Sequence, residues 1–304
     1  MVRKLKFLIK SVKKLLSNQY GISDWPEDSK LDYDRYRIQL ALARAAATAS
    51  VRRIDSTIPS TWEFSGFSQN SEDGIIDFLI TQLKESNKYF IEIGASNGLE
   101  NNSSWLAIGK RFSGLMVEAN TAAVEQCRKL YQGMNWGLRI ESLKVSLENV
   151  EQIKSMATHS CPDVLSLDID SNDYYIMQRL FELNIRPKIA VVEYNSAFGP
   201  NDSCTIEYDP QFNYLQIANA EGLFYGVSLA GWKTFFSKQG YQFVSVDTNG
   251  VNAFFVNPAF FDPLFLESLQ PKDFIENFAQ FSRDPGGWHS QSKKIKHLKT
   301  FQIQ

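Results

Sequence analysis

The sequence predicts an α/β fold built on a mostly parallel, seven-stranded sheet that ends in an antiparallel hairpin. From residue 64 onward, five short apolar runs alternate with helical stretches, a pattern typical of parallel sheets with helices on both faces. Two more strand runs follow, separated by Thr248-Asn249-Gly250, and Asn-Gly is a strong hairpin signal. The 304 residues are 43% hydrophobic and 22% charged, which is typical of a globular chain with a well-filled core.

The apolar runs place the individual elements. Strands are predicted over residues 89–93, 115–118, 138–142, 164–168, 189–194, 242–247 and 251–257. Helices are predicted over residues 103–110, 122–131, 147–157, 174–184 and 232–239. We therefore expect a helical extension over residues 1–60, an α/β domain over residues 61–260, and a helical or irregular tail over residues 261–304.

The extension begins with a strongly basic segment. Residues 2–16 contain six Lys or Arg residues and no acid. At about 100° per residue, their aliphatic side chains gather on one helical face and most of the basic side chains gather opposite. This pattern is typical of a helix on an anionic membrane surface, and it equally fits a docking helix or a partner-binding arm. A second helix is predicted over residues 33–53.

Composition disfavours several other classes of protein. A net charge of −2 argues against a nucleic-acid-binding surface. The three cysteines have no Cys-x-x-Cys spacing, so we expect free thiols in a reducing compartment and no cysteine-based zinc site. The sequence contains neither an uninterrupted apolar run of roughly 18 residues nor a recognisable secretory signal. We therefore expect a cytoplasmic enzyme, peripherally membrane-bound if residues 2–16 bind lipid.

A nucleoside-binding turn follows the first predicted strand. That strand ends in Glu92-x-Gly94-x-x-x-Gly98, and glycines at such a turn let a ligand approach the backbone. The next strand ends in Glu118, about 20 residues further on, where a carboxylate can accept both hydroxyls of a ribose. NAD-dependent oxidoreductases use the same arrangement, so these residues predict a nucleoside cofactor without naming it. The alternative is that Glu118 only caps the helix after it.

Several motifs over residues 64–258 resemble the FkbM-type S-adenosylmethionine (SAM)-dependent methyltransferases. They are Phe67-Ser68-Gln69-Asn70-Ser71-Glu72-Asp73, then Glu92-Ile93-Gly94-Ala95 with Gly98, then Val117-Glu118-Ala119, and finally Asn252-Ala253-Phe254-Phe255-Val256. The resemblance implies a Rossmann-like class I methyltransferase fold and O-methylation, often of sugar or polyketide hydroxyls. It also implies that Glu92, Gly94, Ala95 and Gly98 surround the amino-acid end of SAM, that Glu118 binds the ribose, and that Gln69 and Asp73 approach the same pocket.

Acidic residues cluster at the ends of the fourth and fifth predicted strands. Asp168 and Asp170 end the fourth strand, and Glu193 ends the fifth. Several carboxylates at such short spacing fit a hard divalent cation; an EF-hand is excluded, because Arg179 stands at its position 12. Mg²⁺ held there would lower the pKa of an acceptor hydroxyl. A metal-free site would use one carboxylate as the general base, with Asp168 also approaching the cofactor. Capping of the next helix by Asp170, Ser171 or Asn172 is the alternative use for one or two of the polar residues here.

The acceptor is expected in the long loop that follows. Asn195, Tyr208 and Ser228 are the candidate acceptor-binding residues, although the pattern favours a structural use of each over acceptor binding. The sequence thus predicts an O-methyltransferase that acts on a sugar, glycan or related polar acceptor and does not bind nucleic acid. An NAD-dependent oxidoreductase and a non-catalytic interaction module are the two competing interpretations.

Overall fold

The computed structural model describes residues 30–304. One compact unit comprises Ile38–Gln304, and the preceding unit, Met1–Arg37, is described only from Lys30, where the first helix begins. The predicted membrane-surface helix over residues 2–16 lies outside the described residues. Within residues 30–304, no helix combines the length and the apolar character needed to cross a bilayer.

Helices and strands alternate through most of the chain. The helices are α1 Lys30–Val51, α2 Glu72–Thr81, α3 Thr121–Tyr131, α4 Glu151–Met156, α5 Asp173–Glu182, α6 Leu229–Lys238, α7 Pro263–Ser268, α8 Phe278–Arg283 and α9 Gly287–Ile295. The strands are β1 Tyr89–Ile93, β2 Ser113–Glu118, β3 Leu138–Ser142, β4 Val164–Leu167, β5 Ile189–Glu193, β6 Cys204–Ile206, β7 Gln242–Val246, β8 Asn252–Val256 and β9 Thr300–Gln302.

The main sheet has the predicted seven strands in the order β3-β2-β1-β4-β5-β8-β7. Strands β1 to β5 are parallel, and β8 runs antiparallel to both β5 and β7. The hairpin predicted from Asn249-Gly250 is confirmed, since Gly250 has a φ of 71° at the turn between β7 and β8. The order reverses between β1 and β4, and ligands of such sheets bind beyond the carboxyl ends of the strands at that point.

The sheet is packed on both faces. One apolar cluster combines Leu165, Val192 and Phe255 with the inward faces of α5 and α6, and the other combines Phe90, Met116 and Phe254 with α2 and α3. These strands are buried on both faces, which explains why their sequences are nearly continuous apolar runs.

Two sequence predictions differ from the structure. The helix predicted over residues 103–110 is a single π-helical turn, Trp105–Gly109, because the residues just before it are tied to Glu92 by hydrogen bonds. No strand was predicted in the long loop after β5 or in the C-terminal tail, yet each contributes one. β6 lies in the loop, β9 lies in the tail, and the two pair antiparallel. Three-residue strands have too little sequence pattern to be recognised without their partner.

At the amino ends of the strands, a buried ion pair joins two neighbours. Lys188 precedes β5, and its Nζ lies 2.8 Å from Asp163 Oδ1, with side-chain exposures of 5% and 0%. Asp163 also accepts hydrogen bonds from the backbone N–H groups of Asn87 and Lys88. This pair fixes the end of the sheet opposite the candidate site.

Candidate cofactor and acceptor site

A cavity of about 730 Å³ opens at the carboxyl ends of β1, β2 and β4, which is within the usual range for small-molecule sites. Gly94, Glu118 and Asp168 line its floor, and residues 143–146, residues 210–214 and Gln216 complete the lining. Two hydrogen bonds hold the 209–216 loop: Lys144 Nζ donates to the Pro210 carbonyl at 3.0 Å, and Asn172 Nδ2 donates to the Asp209 carbonyl at 2.8 Å. The cavity therefore lies at the switch point of the sheet.

Gly94 permits the close approach of two strand ends at the cavity floor. Its φ is 94°, and a Cβ at this position would lie 1.7 Å from the carbonyl oxygen of Asp168. Any side chain would push β1 away from β4, and an L-residue is strained at this φ. Glycine is required here for a reason that combines backbone conformation with the packing of the neighbouring strand.

Glu118 is held rigidly at the edge of the same cavity. Its Oε2 accepts the Ser96 N–H at 2.9 Å, and its Oε1 accepts the Asn120 N–H at 2.7 Å. Each carboxylate oxygen retains a lone pair, so the group can still accept hydroxyl hydrogens from a ligand. Glu118 does not cap α3, because the side chain of Asn120 accepts the N–H groups of Ala122 and Ala123.

The other residues predicted to bind the cofactor divide into two groups. Gln69 lines the cavity, whereas Asp73, Glu92, Ala95 and Gly98 are absent from its lining. Asp73 Oδ2 accepts the N–H groups of residues 66–68, which fixes the turn that carries Gln69. Ala95 is buried in the core, and the carbonyl of Gly98 accepts the Tyr131 hydroxyl at 2.8 Å.

Glu92 is buried and does not line the cavity. Its Oε1 accepts the Asn102 N–H at 2.9 Å, and its Oε2 accepts the Ser103 hydroxyl. Burial raises the pKa of both Glu92 and Asp73 to about 7. Both carboxyl groups shape the loops around the cavity from within the protein.

The predicted acidic cluster forms. Asp168, Asp170 and Glu193 each place a carboxylate oxygen within 4.8 Å of the other two. The loop between them is turned by Asp173, whose carboxylate accepts the N–H groups of Ile169 and Ser171, and Asp170 has a left-handed φ of 53°. Asp173 is therefore a local structural residue, while Asp168 and Asp170 face Glu193. The capping alternative is not observed, because the N-cap residue of α5, Asn172, makes no side-chain capping hydrogen bond.

Burial raises the pKa of all three carboxyl groups, and mutual repulsion contributes at Asp168 and Glu193. Desolvation raises the pKa of Asp168 and of Glu193 well above their ordinary values, and repulsion by the other carboxylates adds to it. Desolvation also raises the pKa of Asp170. A group of half-buried carboxylates with raised pKa values carries a free-energy cost that a bound cation, or a shared proton, would remove.

Tyr225, in the loop before α6, contacts the cluster. Its hydroxyl donates to Glu193 Oε1 at 3.3 Å, and its ring lies 5.6 Å, centroid to centroid, from that of Tyr214. Tyr214 also lines the cavity. The aromatic pair thus connects the 209–216 loop to the carboxylates.

The three candidate acceptor-binding residues lie outside the cavity lining. Asn195 is buried, and its amide donates to the carbonyls of Leu223 and Tyr225. Ser228 caps α6, and its hydroxyl accepts the N–H of Gly231. The Tyr208 hydroxyl contacts the Glu148 carboxylate at 3.0 Å. Each contact supports the loop around the site, which is the structural use that the sequence left open.

Sequence reasoning missed Lys144, Tyr214 and Gln280. Lys144 and Tyr214 belong to segments without periodic patterning, and Gln280 lies in the tail. The sequence Asn213-Tyr214 did contain a usable signal for the start of a helical turn, since Asn213 caps that turn by accepting the Leu215 N–H. Gln280 had no recognisable sequence signal, because its contacts are with residues about 55 to 85 positions earlier.

No protein-family model matches the sequence, and no curated protein matches it. Similar solved structures include an O-methyltransferase from Bacillus cereus in complex with SAH, at 15% identity and a TM-score of 0.42 over 81% of this chain and 95% of that one. A putative O-methyltransferase from Klebsiella pneumoniae shares 15% identity, with a TM-score of 0.41 over 81% and 96% of the two chains. TomG, an O-methyltransferase from Streptomyces achromogenes in complex with SAM, shares 12% identity, with a TM-score of 0.42 over 72% and 96%.

Likeness at this level does not bear on the activity of the chain. The strand order and the antiparallel β8 carry the fold assignment by themselves. The fold is the Rossmann-like class I methyltransferase fold that the sequence predicts.

Proposed function

We propose that the protein is a SAM-dependent methyltransferase that transfers a methyl group to a hydroxyl oxygen of a sugar, glycan or related polar acceptor. The observation that carries the proposal is one cavity lined by two chemically different sets of residues. Gly94 and the rigid Glu118 carboxylate form one set, and Asp168 and Asp170 form the other, with Glu193 beside them. The first set suits a nucleoside, and the second suits a hydroxyl that must lose a proton.

In the donor half of the site, the cofactor would approach the backbone at Gly94 and bind the carboxylate of Glu118. Glu118 would accept the ribose hydroxyls with the lone pairs that Ser96 and Asn120 leave unused. Gly94 leaves the floor open, and Gln69 lines the wall. Bound SAM supplies a methyl group that is already activated by the sulfonium, so the protein contributes mainly proximity and alignment.

The acceptor half rests on the carboxylate cluster. Its donor set of three oxygens within 4.8 Å fits Mg²⁺, which prefers carboxylate ligands. Mg²⁺ at this position would lower the pKa of an acceptor hydroxyl. In a metal-free version, Asp168 or Glu193 accepts the hydroxyl proton directly as a general base, for which a raised pKa is an advantage at neutral pH.

The 209–216 loop would exclude water during transfer. Residues 210–214 and Gln216 line the cavity, and the hydrogen bonds from Lys144 and Asn172 hold this loop in place. Excluding water strengthens electrostatic interactions inside the site. It also protects the acceptor alkoxide from reprotonation.

Transfer of labelled methyl groups tests the proposed function. The full chain is incubated with methyl-labelled SAM and a panel of sugars and polyols, with Mg²⁺ or with EDTA. We expect labelled O-methyl product, and we expect Asp170→Asn to lower the rate at least 10-fold. The matched control, Glu207→Gln, changes an exposed carboxylate of a nearby loop and should leave the rate unchanged. Tight NADH binding with no SAM binding would instead establish the oxidoreductase alternative.

The membrane contact proposed for residues 2–16 needs a separate test. Their six basic residues and their aliphatic face are the support for it, since basic amphipathic helices bind anionic lipid surfaces. We expect the full chain to sediment with phosphatidylserine vesicles at low salt and a chain lacking residues 2–16 to stay in solution. Equal sedimentation of the two would remove this part of the proposal.

A further inference from the structure

A glutamine of the C-terminal tail reaches the carboxylate side of the site. Gln280 lies on α8 and is only 2% exposed. Its Nε2 donates to the Tyr225 hydroxyl at 3.1 Å and to Asn195 Oδ1 at 3.2 Å. Its Oε1 accepts the Ser196 hydroxyl at 3.0 Å. All the hydrogen-bonding atoms of this buried amide are therefore used, as burial demands.

The neighbours of Gln280 fix which way its amide points. Ser196 Oγ accepts the backbone N–H of Asn277 at 2.9 Å, so its own hydrogen is free to go to Gln280 Oε1. Asn195 Oδ1 also accepts the Ala197 N–H, which marks that atom as an acceptor. The nitrogen of Gln280 must then face Tyr225, because the flipped amide would oppose acceptor to acceptor at Asn195.

The amide in turn orients the Tyr225 hydroxyl. The phenol oxygen accepts a hydrogen from Gln280, so its single hydrogen is directed to Glu193 Oε1 at 3.3 Å. Buried polar chains of this kind hold each member in one orientation. The chain runs from the tail, through one phenol, to one carboxylate of the acidic cluster.

We infer that Gln280 is a positioning residue, which through Tyr225 holds the Glu193 carboxylate in the orientation that binds a divalent cation together with Asp168 and Asp170. The inference rests on the proposed function. It makes the C-terminal segment part of the acceptor half of the site. Residues that orient a metal ligand commonly affect metal affinity 10- to 100-fold without touching the ion.

The test compares two buried glutamines of the same tail. Gln280→Met removes the positioning amide at nearly constant volume. Gln291→Met, in α9, removes an amide that is 1% exposed and has no hydrogen-bond partner among residues 30–304. Tyr225→Phe and the double variant with Gln280→Met complete the set. Mn²⁺ affinity is measured on full-length proteins by electron paramagnetic resonance at saturating SAH, and SAH affinity is measured by calorimetry.

We expect Gln280→Met to weaken Mn²⁺ binding about 10-fold and to change SAH affinity less than 2-fold, because Gly94 and Glu118 are untouched. Tyr225→Phe should have a similar effect, and the double variant should be no worse than either single variant, since both act through one chain. Gln291→Met should bind both ligands like the wild type. This split between cation and nucleoside binding would not arise from a general loss of structure.

Four results would contradict the inference, and they overturn different parts of it. Gln280→Met could bind Mn²⁺ as tightly as Gln291→Met, or the two site substitutions could be additive; either result overturns the positioning role alone. A wild-type chain that binds SAH but not Mn²⁺ overturns the cation part of the proposed function and the inference with it. A wild-type chain that binds neither ligand overturns the proposed methyltransferase.

Discussion

Glu193→Gln should stabilise the cation-free protein at alkaline pH. Glu193 lies within 4.8 Å of carboxylate oxygens of Asp168 and Asp170, and the three groups are half-buried. The substitution removes one negative charge, and the new amide oxygen can still accept the Tyr225 hydroxyl. A residue of the candidate site is therefore expected to increase stability when it is neutralised, which is common where function requires strained electrostatics.

The separation of the carboxylates sets the size of the effect. Two unit charges 4.8 Å apart repel by about 3.5 kcal/mol at an effective dielectric constant of 20 and by about 0.9 kcal/mol in bulk water. The electrostatic cost of the cluster also has an upper limit, because one of the carboxylates can retain a proton and so remove the repulsion. Protonating one Glu at pH 8, from its ordinary value of 4.5, costs about 5 kcal/mol. We expect Glu193→Gln to raise the free energy of unfolding by about 1–4 kcal/mol at pH 8.

The sign of the pH dependence follows from the raised pKa values. Burial and repulsion raise the folded-state pKa of Asp168 and Glu193, so the folded state holds protons that the unfolded state has released. Their contribution to stability is complete below the ordinary values of 3.8 and 4.5 and is lost as the pH rises through the folded values. Wild type should therefore lose more stability between pH 5 and pH 8 than Glu193→Gln.

Urea unfolding at pH 5 and pH 8, with EDTA or with Mg²⁺, measures these differences. Mg²⁺ at 100 times its Kd should restore about 2.7 kcal/mol to the wild type at pH 8 and much less to Glu193→Gln. The exposed control, Glu207→Gln, should remain within about 0.5 kcal/mol of wild type. The reasoning is refuted if Glu193→Gln in EDTA is no more stable than wild type at pH 8, or if the gain is as large at pH 5.

Two further predictions concern parts of the fold outside the carboxylate cluster. Lys188→Met leaves Asp163 as an uncompensated buried charge and should lower the free energy of unfolding by about 3–5 kcal/mol; a loss below 1 kcal/mol in urea unfolding would show that the pair contributes little. Gly94→Ala should abolish SAH binding or folding, because its Cβ would lie 1.7 Å from the Asp168 carbonyl. Gly133→Ala is the control: its φ is 78° and a Cβ there would meet nothing within 4 Å, so it should cost only about 1 kcal/mol. SAH titration of both variants measures the effect on binding. Normal SAH binding by Gly94→Ala would show that the close approach of β1 to β4 at Gly94 is not required.

The sheet could be predicted from the sequence because its signals are local. The strand over Tyr89–Ile93 begins and ends where its apolar run does, and Asn249-Gly250 specified the hairpin. The segment after Glu92 failed as a helix prediction because its conformation is set by tertiary hydrogen bonds from Asn102 and Ser103 to that carboxylate. Such contacts leave no periodic pattern in the sequence.

The site could be predicted to the level of strand ends. Gly94, Glu118, Asp168 and Glu193 each end a parallel strand, and topology alone gathers such residues at one edge. Which carboxyl groups face the cavity was not predictable, because it depends on side-chain direction. Asp73, for example, turns inward onto the N–H groups of residues 66–68.

The contribution of the tail was the largest omission. Gln280 forms hydrogen bonds with Tyr225 and Ser196, and β9, further along the same tail, pairs with β6. Neither short strand has a pattern of its own, so their pairing is a property of the assembled domain. Long-range partners of this kind cannot be identified from a single sequence.

Calorimetric titration of SAH into wild type, Glu118→Ala and Glu125→Ala tests the central claim most directly. Glu125 is an exposed carboxylate on α3 that pairs with Arg128 on the surface, so its variant serves as the matched control. We predict micromolar-range binding to wild type and Glu125→Ala, and binding about 10- to 100-fold weaker to Glu118→Ala, the loss expected for hydrogen bonds to a charged group. Absence of binding to wild type, with and without Mg²⁺, or equal binding to all three proteins would contradict the assignment of this cavity to SAM.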